Sequence, residues 1–296
     1  MKIQVLGTGA WGTAVGQLIQ ANGHDVTWVH HDGVGWEPEK VDWVVLALPV
    51  QHLRETLSCL KAPVGPVLNL SKGLEIVTGQ RVSEVIGSVW PGCSTATLSG
   101  PTLAGEVKKG LPAVAAVASL DPAVAEAAQR LVHQSVFRVY RSADLIGVEY
   151  GGALKNVYAI AGGLCLGLSL GENALAGLLT RSLAEMTRLG LHAGGRPETF
   201  AGLSGVGDLM LTATSRQSRN FQVGLKLAQG LTLEQILASS AGVAEGVATA
   251  KALYQHPIFS AGEKPVATEV YRMLYEEKSP REAVRDLLGR AMASES

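Results

Sequence analysis

KIQVLGTGAWGTA, residues 2–14, decides how the rest of the chain is read. Residues 2–6 form a short apolar strand pattern. Gly7, Gly9 and Gly12 then make G-x-G-x-x-G at the entrance to a helical pattern that puts Ala14, Val15, Leu18 and Ile19 on one face. Gly7 permits the tight turn, Gly9 lets the backbone approach a pyrophosphate, and Gly12 allows helix and strand to pack closely. The helix start aims N–H groups and the positive end of its dipole at the phosphates. Between a strand and a helix, the three glycines predict a dinucleotide site; a glycine-rich turn that binds nothing is the weaker reading. Asn22-Gly23 is placed to end the helix, because glycine accepts the left-handed conformation of a C-terminal cap.

Outward from this unit the pattern repeats. DVTWVHH (25–31) reads as a second strand and VDWVVLALPV (41–50) as a third, apolar enough to be covered on both faces of a parallel sheet. PVLNLS (66–71), TATLSG (95–100) and AVAAVAS (113–119) are further strand candidates. DPAVAEAAQRLV (121–132) is a helix with Asp121 as N-cap and Pro122 in its first turn. Strands alternating with helices imply an open α/β sheet. From about Ala143 the strand signals vanish, and DLIGVEYGGALKNVYAIAG, ENALAGLLTRSLAEMTRLGLHAG, the stretch after Ser218 and PVATEVYRMLYEEK all read as helix. Two domains are expected: a dinucleotide-binding domain over 1–141 and a helical substrate and catalytic domain over 142–296.

Composition agrees. Of 296 residues 47% are hydrophobic and 17% charged, enough to bury a sizeable core. The mean hydropathy of +0.19 fits a chain that hides further surface in a subunit interface. A formal net charge of -1 gives no electrostatic case for nucleic acid or an anionic membrane, so an anionic ligand must be met by a local site. Cys59, Cys93 and Cys165 form no CxxC and no Cys/His spacing, so neither a disulfide framework nor a metal site is expected. The strand pattern begins at once, with no signal peptide, and a cytoplasmic location is expected. Ala153 to Leu170 is the longest apolar stretch, but its glycines, Lys155 and Asn156 argue for a buried helix and loop instead of a membrane span.

The second strand ends in His30, His31 and Asp32. NAD-selective sites usually place an acid here, on the adenosine ribose. Two imidazoles suit a 2′-phosphate and Asp32 suits a ribose, so NADP(H) is favoured and NAD(H) stays open; for His30 alone a polar loop is the better reading. Lys155 sits in GGALKNV, where Gly151 and Gly152 cost helix propensity and admit close approach of a backbone or ligand. A desolvated lysine with a lowered pKa suits proton transfer, and a lysine reaching to the surface explains the local pattern equally well. In GLSGVGDLMLTATSRQSRN (202–220), Asp208 follows a run of glycines, and Ser218, Arg219 and Asn220 open a helix. A guanidinium fork with free N–H groups makes a phosphate site; an ordinary Ser218 N-cap with exposed neighbours is at least as good a local reading. Lys72 in SKGLE, and Gly100 and Thr102 in SGPT, follow strands and belong at one mouth of the sheet. No Ser-His-Asp order, glycosidase carboxylate pair or metal motif competes.

GTGAWGTA, ALPVQ, SKGLE, SGPTLAGEV, VEYGGALKNVYAIAGG, GENALAGLLTR, GVGDLMLT, SRN and VAEGV occur in this order across nearly the whole chain. Together they resemble the bacterial NAD(P)-dependent glycerol-3-phosphate dehydrogenases. The resemblance implies hydride transfer between NAD(P)H and dihydroxyacetone phosphate to give sn-glycerol 3-phosphate, in the service of glycerophospholipid synthesis. It implies a Rossmann-type domain followed by an all-α domain of the 6-phosphogluconate-dehydrogenase-like kind, and homodimers are common among such enzymes. By the same resemblance Lys155 is the catalytic acid/base. Lys72, Gly100, Thr102, Asp208, Ser218, Arg219 and Asn220 hold the substrate with it. Ala10, Trp11, His31, Lys72, Ala104, Arg219, Val243 and Glu245 join the fingerprint glycines around the cofactor. Two departures stand out. Relatives carry some tens of residues between the second strand and ALPVQ, where this chain has little more than DGVGWEPEK, which puts the sheet edge and the adenosine side of the pocket in question. Ser182 replaces the glycine usual after Arg181. The rivals are a related hydroxy-acid or ketopantoate-type dehydrogenase, whose substrate carries a carboxylate instead of a phosphate, and a non-catalytic NAD(P)-binding regulatory protein, which would not need Lys155, Asp208 and SRN.

Overall fold

The computed structural model describes residues 1–240, 242–259 and 263–291, so the last five residues of the expected second domain lie outside it. Among the described residues seven strands form one sheet: β1 (Lys2–Leu6), β2 (Asp25–Val29), β3 (Trp43–Leu46), β4 (Val67–Asn69), β5 (Thr95–Ser99), β6 (Ala113–Ser119) and β7 (Phe137–Ser142). Their order is β2-β1-β3-β4-β5-β6-β7. The first five are parallel; β6 turns antiparallel to β5, and β7 runs parallel to β6. Leu6 is in register with Val29 and with Leu46, Leu46 with Asn69, and Asn69 with Thr97. The carboxyl ends of these strands therefore share one rim, where open α/β sheets bind ligands.

Helices cover both faces. α1 (Ala10–Ala21), α4 (Ala104–Lys108) and α5 (Pro122–Val132) lie on one, and α2 (Val50–Ser58) and α3 (Val82–Val89) on the other. Ala14, Val15, Leu18 and Ile19 are buried, and Gly23 at φ +83° follows the cap of α1. Asp121 accepts from the Ala123 N–H at the start of α5, with Pro122 in the first turn. The expected strands are all present; β1 and β6 keep the expected extent and the others are somewhat shorter. β7 is additional: its alternation of buried Phe137 and Val139 with exposed Arg138 and Tyr140 is a half-buried edge strand.

The second half is helical: α6 (Leu145–Gly167), α7 (Glu172–His192), α8 (Pro197–Phe200), α9 (Asp208–Thr214), α10 (Arg219–Ala228), α11 (Leu233–Ala238), α12 (Glu245–Gln255), α13 (Pro265–Tyr275) and α14 (Pro280–Leu288). α6 is its axis, buried almost all round from Leu145 to Cys165, because the other helices pack about it. Its glycines admit neighbouring backbones. A methyl group on Gly163 would overlap the Phe221 carbonyl oxygen of α10, and one on Gly151 would overlap that of Ser204. Glu149 of α6 ties this half to the sheet, accepting from Ser83 N (2.9 Å), Arg81 Nη1 (2.7 Å) and Thr97 Oγ1 (3.1 Å). Ser182 is fully buried on α7 and its hydroxyl finds no partner among the described residues. Among the described residues no helix is long and apolar enough to cross a membrane.

The short β2–β3 connection contains only a single helical turn, Pro38–Lys40. It leaves the sheet intact, since β1 pairs directly with both β2 and β3. Buried Gln4 clamps it, donating to the Gly35 carbonyl (2.8 Å) and accepting from Glu37 N (3.1 Å).

Candidate active site

The glycine turn behaves as its sequence demands. Gly7 has φ +110°, and a Cβ there would lie 2.5 Å from the Ala47 carbonyl oxygen. A Cβ on Gly12 would lie 2.5 Å from the Gly7 carbonyl oxygen, so helix and turn touch through these two residues. A Cβ on Gly9 would meet nothing within 4 Å, because it points into open space. The first helical bond of α1 runs from Thr13 N to Gly9 O (2.9 Å), leaving the N–H groups of the first turn without intrahelical acceptors. The space they face is a cavity of about 1180 Å³ between the sheet rim and the helical half. That exceeds the roughly 300–1,000 Å³ of ordinary small-molecule pockets, as a dinucleotide with a second ligand requires. The turn and the cavity thus fit a dinucleotide.

The expected cofactor residues line this space: Gly7, Gly9, Ala10, Trp11 and Gly12 from the turn, His31 from the end of β2, Ala104 from α4, and Val243 and Glu245 from the start of α12. His30 and Asp32 also line it, and pair with each other at 3.6 Å. Glu245 is buried. Its Oε1 accepts from Val50 N (3.0 Å), and its Oε2 has no partner among the described residues. Burial pushes its carboxyl up to about 7, against the pull of the Val50 N–H and of Arg219.

At the far end Lys155 projects from α6 with only 7% of its surface exposed, so the buried reading holds and the surface-reaching one does not. It donates to Asp208 Oδ1 (3.0 Å) and to Thr212 Oγ1 (2.7 Å). Lys72, in the loop after β4, donates to Asp208 Oδ2 (2.7 Å) and to the Gly100 carbonyl (3.1 Å). One buried carboxylate therefore holds both ammonium groups. Each has three N–H donors and directs two of them at the protein, which leaves one for a ligand in the cavity that both line. Burial pushes Lys155 down to about 8, helped by Lys72 and Arg219 and opposed by Asp208. Burial alone would raise Asp208, but the two lysines and their hydrogen bonds hold it below the usual carboxylate range.

Thr102, Ser218, Arg219 and Asn220 also line the cavity. Ser218 is both things its sequence allowed: its hydroxyl caps α10 by accepting from Phe221 N (3.2 Å), and it faces the cavity. Arg219 is exposed in the first turn of α10, opposite Gly242. Asn220 joins three helices, donating to Asn156 Oδ1 (2.8 Å) and accepting from Gly246 N (2.9 Å). Gly100 and Asp208 stand behind the lysines instead of lining the cavity. Two further residues belong to the cluster. Thr212 bridges Lys155 and Asp208, and Asn156 donates to the Gly152 carbonyl (3.1 Å) while facing the cavity. Neither stands out in the sequence, whose only signals are Thr212's place one helical turn after Asp208 and Asn156's place beside Lys155.

Comparison with known proteins agrees with this geometry. Family models for the N-terminus and the C-terminus of NAD-dependent glycerol-3-phosphate dehydrogenase match residues 37–125 and 144–285. A glycerol-3-phosphate dehydrogenase [NAD(P)+] of Geobacter sulfurreducens is 41% identical over 330 residues, covering 99% of this chain and 98% of that protein. The chain belongs to the NAD-dependent glycerol-3-phosphate dehydrogenase family. A second family member, from Acaryochloris marina, is 41% identical over 301 residues, covering 99% and 97%. The crystal structure of glycerol-3-phosphate dehydrogenase from Coxiella burnetii superposes with a TM-score of 0.90 at 31% identity, covering 98% of this chain and 99% of that one. The alignment with the Geobacter protein is longer than the chain itself, so that relative carries residues this family member lacks.

Proposed function

We propose that the chain reduces dihydroxyacetone phosphate to sn-glycerol 3-phosphate with NADPH, using NADH as well, and without a metal. The observation that carries this reading is the Lys155–Asp208–Lys72 cluster, set in the same cavity as the glycine turn, with Arg219 at a helix start beside it. A bound reduced nicotinamide supplies the hydride to the ketone carbon. Negative charge then develops on the carbonyl oxygen, and Lys155 gives it the proton. An acid with a pKa of about 8 is well matched to this near neutral pH. Lys72 places a second positive charge beside that oxygen. Asp208 and Thr212 hold Lys155 in one orientation, so little reorganisation accompanies proton transfer. Arg219, with the free N–H groups at the start of α10, grips the phosphate and fixes which carbon is presented. His31 stands at the end of β2, where a 2′-phosphate is met, and no carboxylate precedes it there.

The same reading puts the enzyme in the cytoplasm, as a homodimer, in glycerophospholipid synthesis. Its test is a substrate panel followed at the reduced-nicotinamide absorbance band. Dihydroxyacetone phosphate should be reduced far faster than dihydroxyacetone, ketopantoate or 2-keto acids. Equal rates with and without the phosphate would remove the role of Arg219, and faster turnover of a carboxylate substrate would remove the assignment.

A further inference from the structure

The β2–β3 connection has no helix beyond the single turn Pro38–Lys40, and the cavity lining opposite His30–Asp32 comes from α2 and the residues just after it. Leu53 and Leu57 turn one side of α2 into the sheet core. On another side His52, Glu55, Thr56 and Cys59 line the cavity, and Leu60 follows them. The loop after β2 rests on this end of the helix. Gly33, at φ +76°, lies so close that a Cβ there would be 2.5 Å from Leu60 Cδ2. Trp36 Nε1 donates to the Lys61 carbonyl (2.9 Å), and Trp36 stacks on Trp90. The end of β2 and the end of α2 are thus the two walls of a slot that opens into the cofactor cavity.

A dinucleotide whose pyrophosphate lies at the start of α1 has its adenosine ribose at the end of β2. Its base then continues beyond the ribose, into this slot. We infer that the surface formed at the end of α2 by Thr56, with Cys59 and Leu60 just past it, is the adenine seat of this chain, standing in for structure that a longer β2–β3 connection would supply. A methyl, a thiol and a leucine side chain offer the flat side of a base an apolar surface. Such a wall serves NADPH and NADH alike, and leaves the choice between them to His31. The inference rests on the cofactor reading given above.

The chain provides its own probe. Cys59 is exposed, whereas burial pushes the Cys93 thiol up to about 11 and also raises Cys165, which is buried. A maleimide at neutral pH should therefore modify Cys59 first. Its rate is read by intact-mass spectrometry of the full chain, with NADPH binding measured separately by tryptophan fluorescence. NADPH or ADP-ribose at ten times its measured Kd should slow modification roughly tenfold, in proportion to the free fraction. Nicotinamide mononucleotide in its reduced form, which lacks adenine, should leave the rate unchanged at the same concentration as NADPH. Cys59→Trp, which fills the slot, should raise the KM for NADPH and for NADH by similar factors, each above tenfold. If NADPH binds yet Cys59 reacts at its unprotected rate, or if the mononucleotide protects as well as NADPH, the seat is elsewhere. An unchanged cofactor KM in Cys59→Trp would say the same. If NADPH does not bind at all, the cofactor reading falls, and this inference falls with it.

Discussion

Replacing Asp208 with Asn removes one negative charge from between buried Lys155 and half-buried Lys72 while keeping the shape of the side chain. The carboxylate stands 3.0 Å from the Lys155 ammonium and 2.7 Å from that of Lys72. Asp208 favours the protonated form of Lys155, whereas burial, Lys72 and Arg219 oppose it. Without the carboxylate the Lys155 pKa must therefore fall from about 8. At 3.0 Å and an effective dielectric constant of about 20, the lost attraction is about 5.5 kcal/mol, or roughly ten-thousandfold in the protonation equilibrium. Side-chain relaxation and entering water absorb part of that, so at least a tenfold effect is expected. Ketone reduction needs the protonated lysine, and kcat/KM reports groups of the free enzyme. In the unaltered enzyme kcat/KM for reduction should be level below pH 8 and fall above it. In Asp208→Asn the falling limb should lie at or below about pH 7. Glycerol 3-phosphate oxidation needs the neutral lysine, so its rising limb should move the same way. Where both lysines are protonated, leaving buried Lys155 and half-buried Lys72 without their counter-charge should also cost about 3–5 kcal/mol of stability, seen as a lower Tm. Thr212→Val, which removes only a hydroxyl, is the milder companion and should shift the limb less. A folded Asp208→Asn enzyme whose limb stays near 8 would refute the coupling of Asp208 to Lys155.

Lys155→Met should lower kcat roughly a hundred- to ten-thousandfold with little loss of ground-state binding. Arg219→Ala should mainly raise the substrate KM, by about 10- to 150-fold for a charge-assisted bond of about 1.5–3 kcal/mol; steady-state kinetics with circular dichroism separate the two. A folded Lys155→Met enzyme with normal turnover would transfer the acid role to Lys72. His31→Asp should lower the ratio of kcat/KM for NADPH to that for NADH, because a carboxylate repels the 2′-phosphate. Gly9→Val points into open space and should keep its Tm while losing cofactor affinity, whereas Gly12→Val, 2.5 Å from the Gly7 carbonyl oxygen, should lose about 1–3 kcal/mol of stability; equal melting of the two would contradict the different directions assigned to these glycines.

The parts of this structure that were legible in the sequence are those set by local geometry. The glycine turn is one, because its backbone positions admit no larger residue at Gly7 and Gly12. The buried strands are another, since an apolar run such as WVVL reads the same in isolation and in the sheet. β7 was hidden because the outward Arg138, Tyr140 and Arg141 break up its apolar content. The reversed direction of β6 leaves no local trace at all. α2 and α3 are short, and only their buried faces, set by the sheet, distinguish them from loops. The same division holds in the site. Lys155 could be read two ways because its burial is made by Asp208 and Thr212, more than fifty residues away. Thr212 and Asn156 gain their roles from partners on other elements, so neither stood out until the helices were packed.

The central claim is that this cavity performs a phosphate-directed ketone reduction, and its most direct measurement is the product itself. Purified enzyme, NADPH and dihydroxyacetone phosphate are incubated in the presence of EDTA, and sn-glycerol 3-phosphate is quantified against NADPH consumed. The geometry predicts one product molecule for each NADPH oxidised, undiminished by the chelator and almost absent when dihydroxyacetone replaces its phosphate. NADPH binding without product, activity abolished by EDTA, or equal turnover of the unphosphorylated ketone would contradict it.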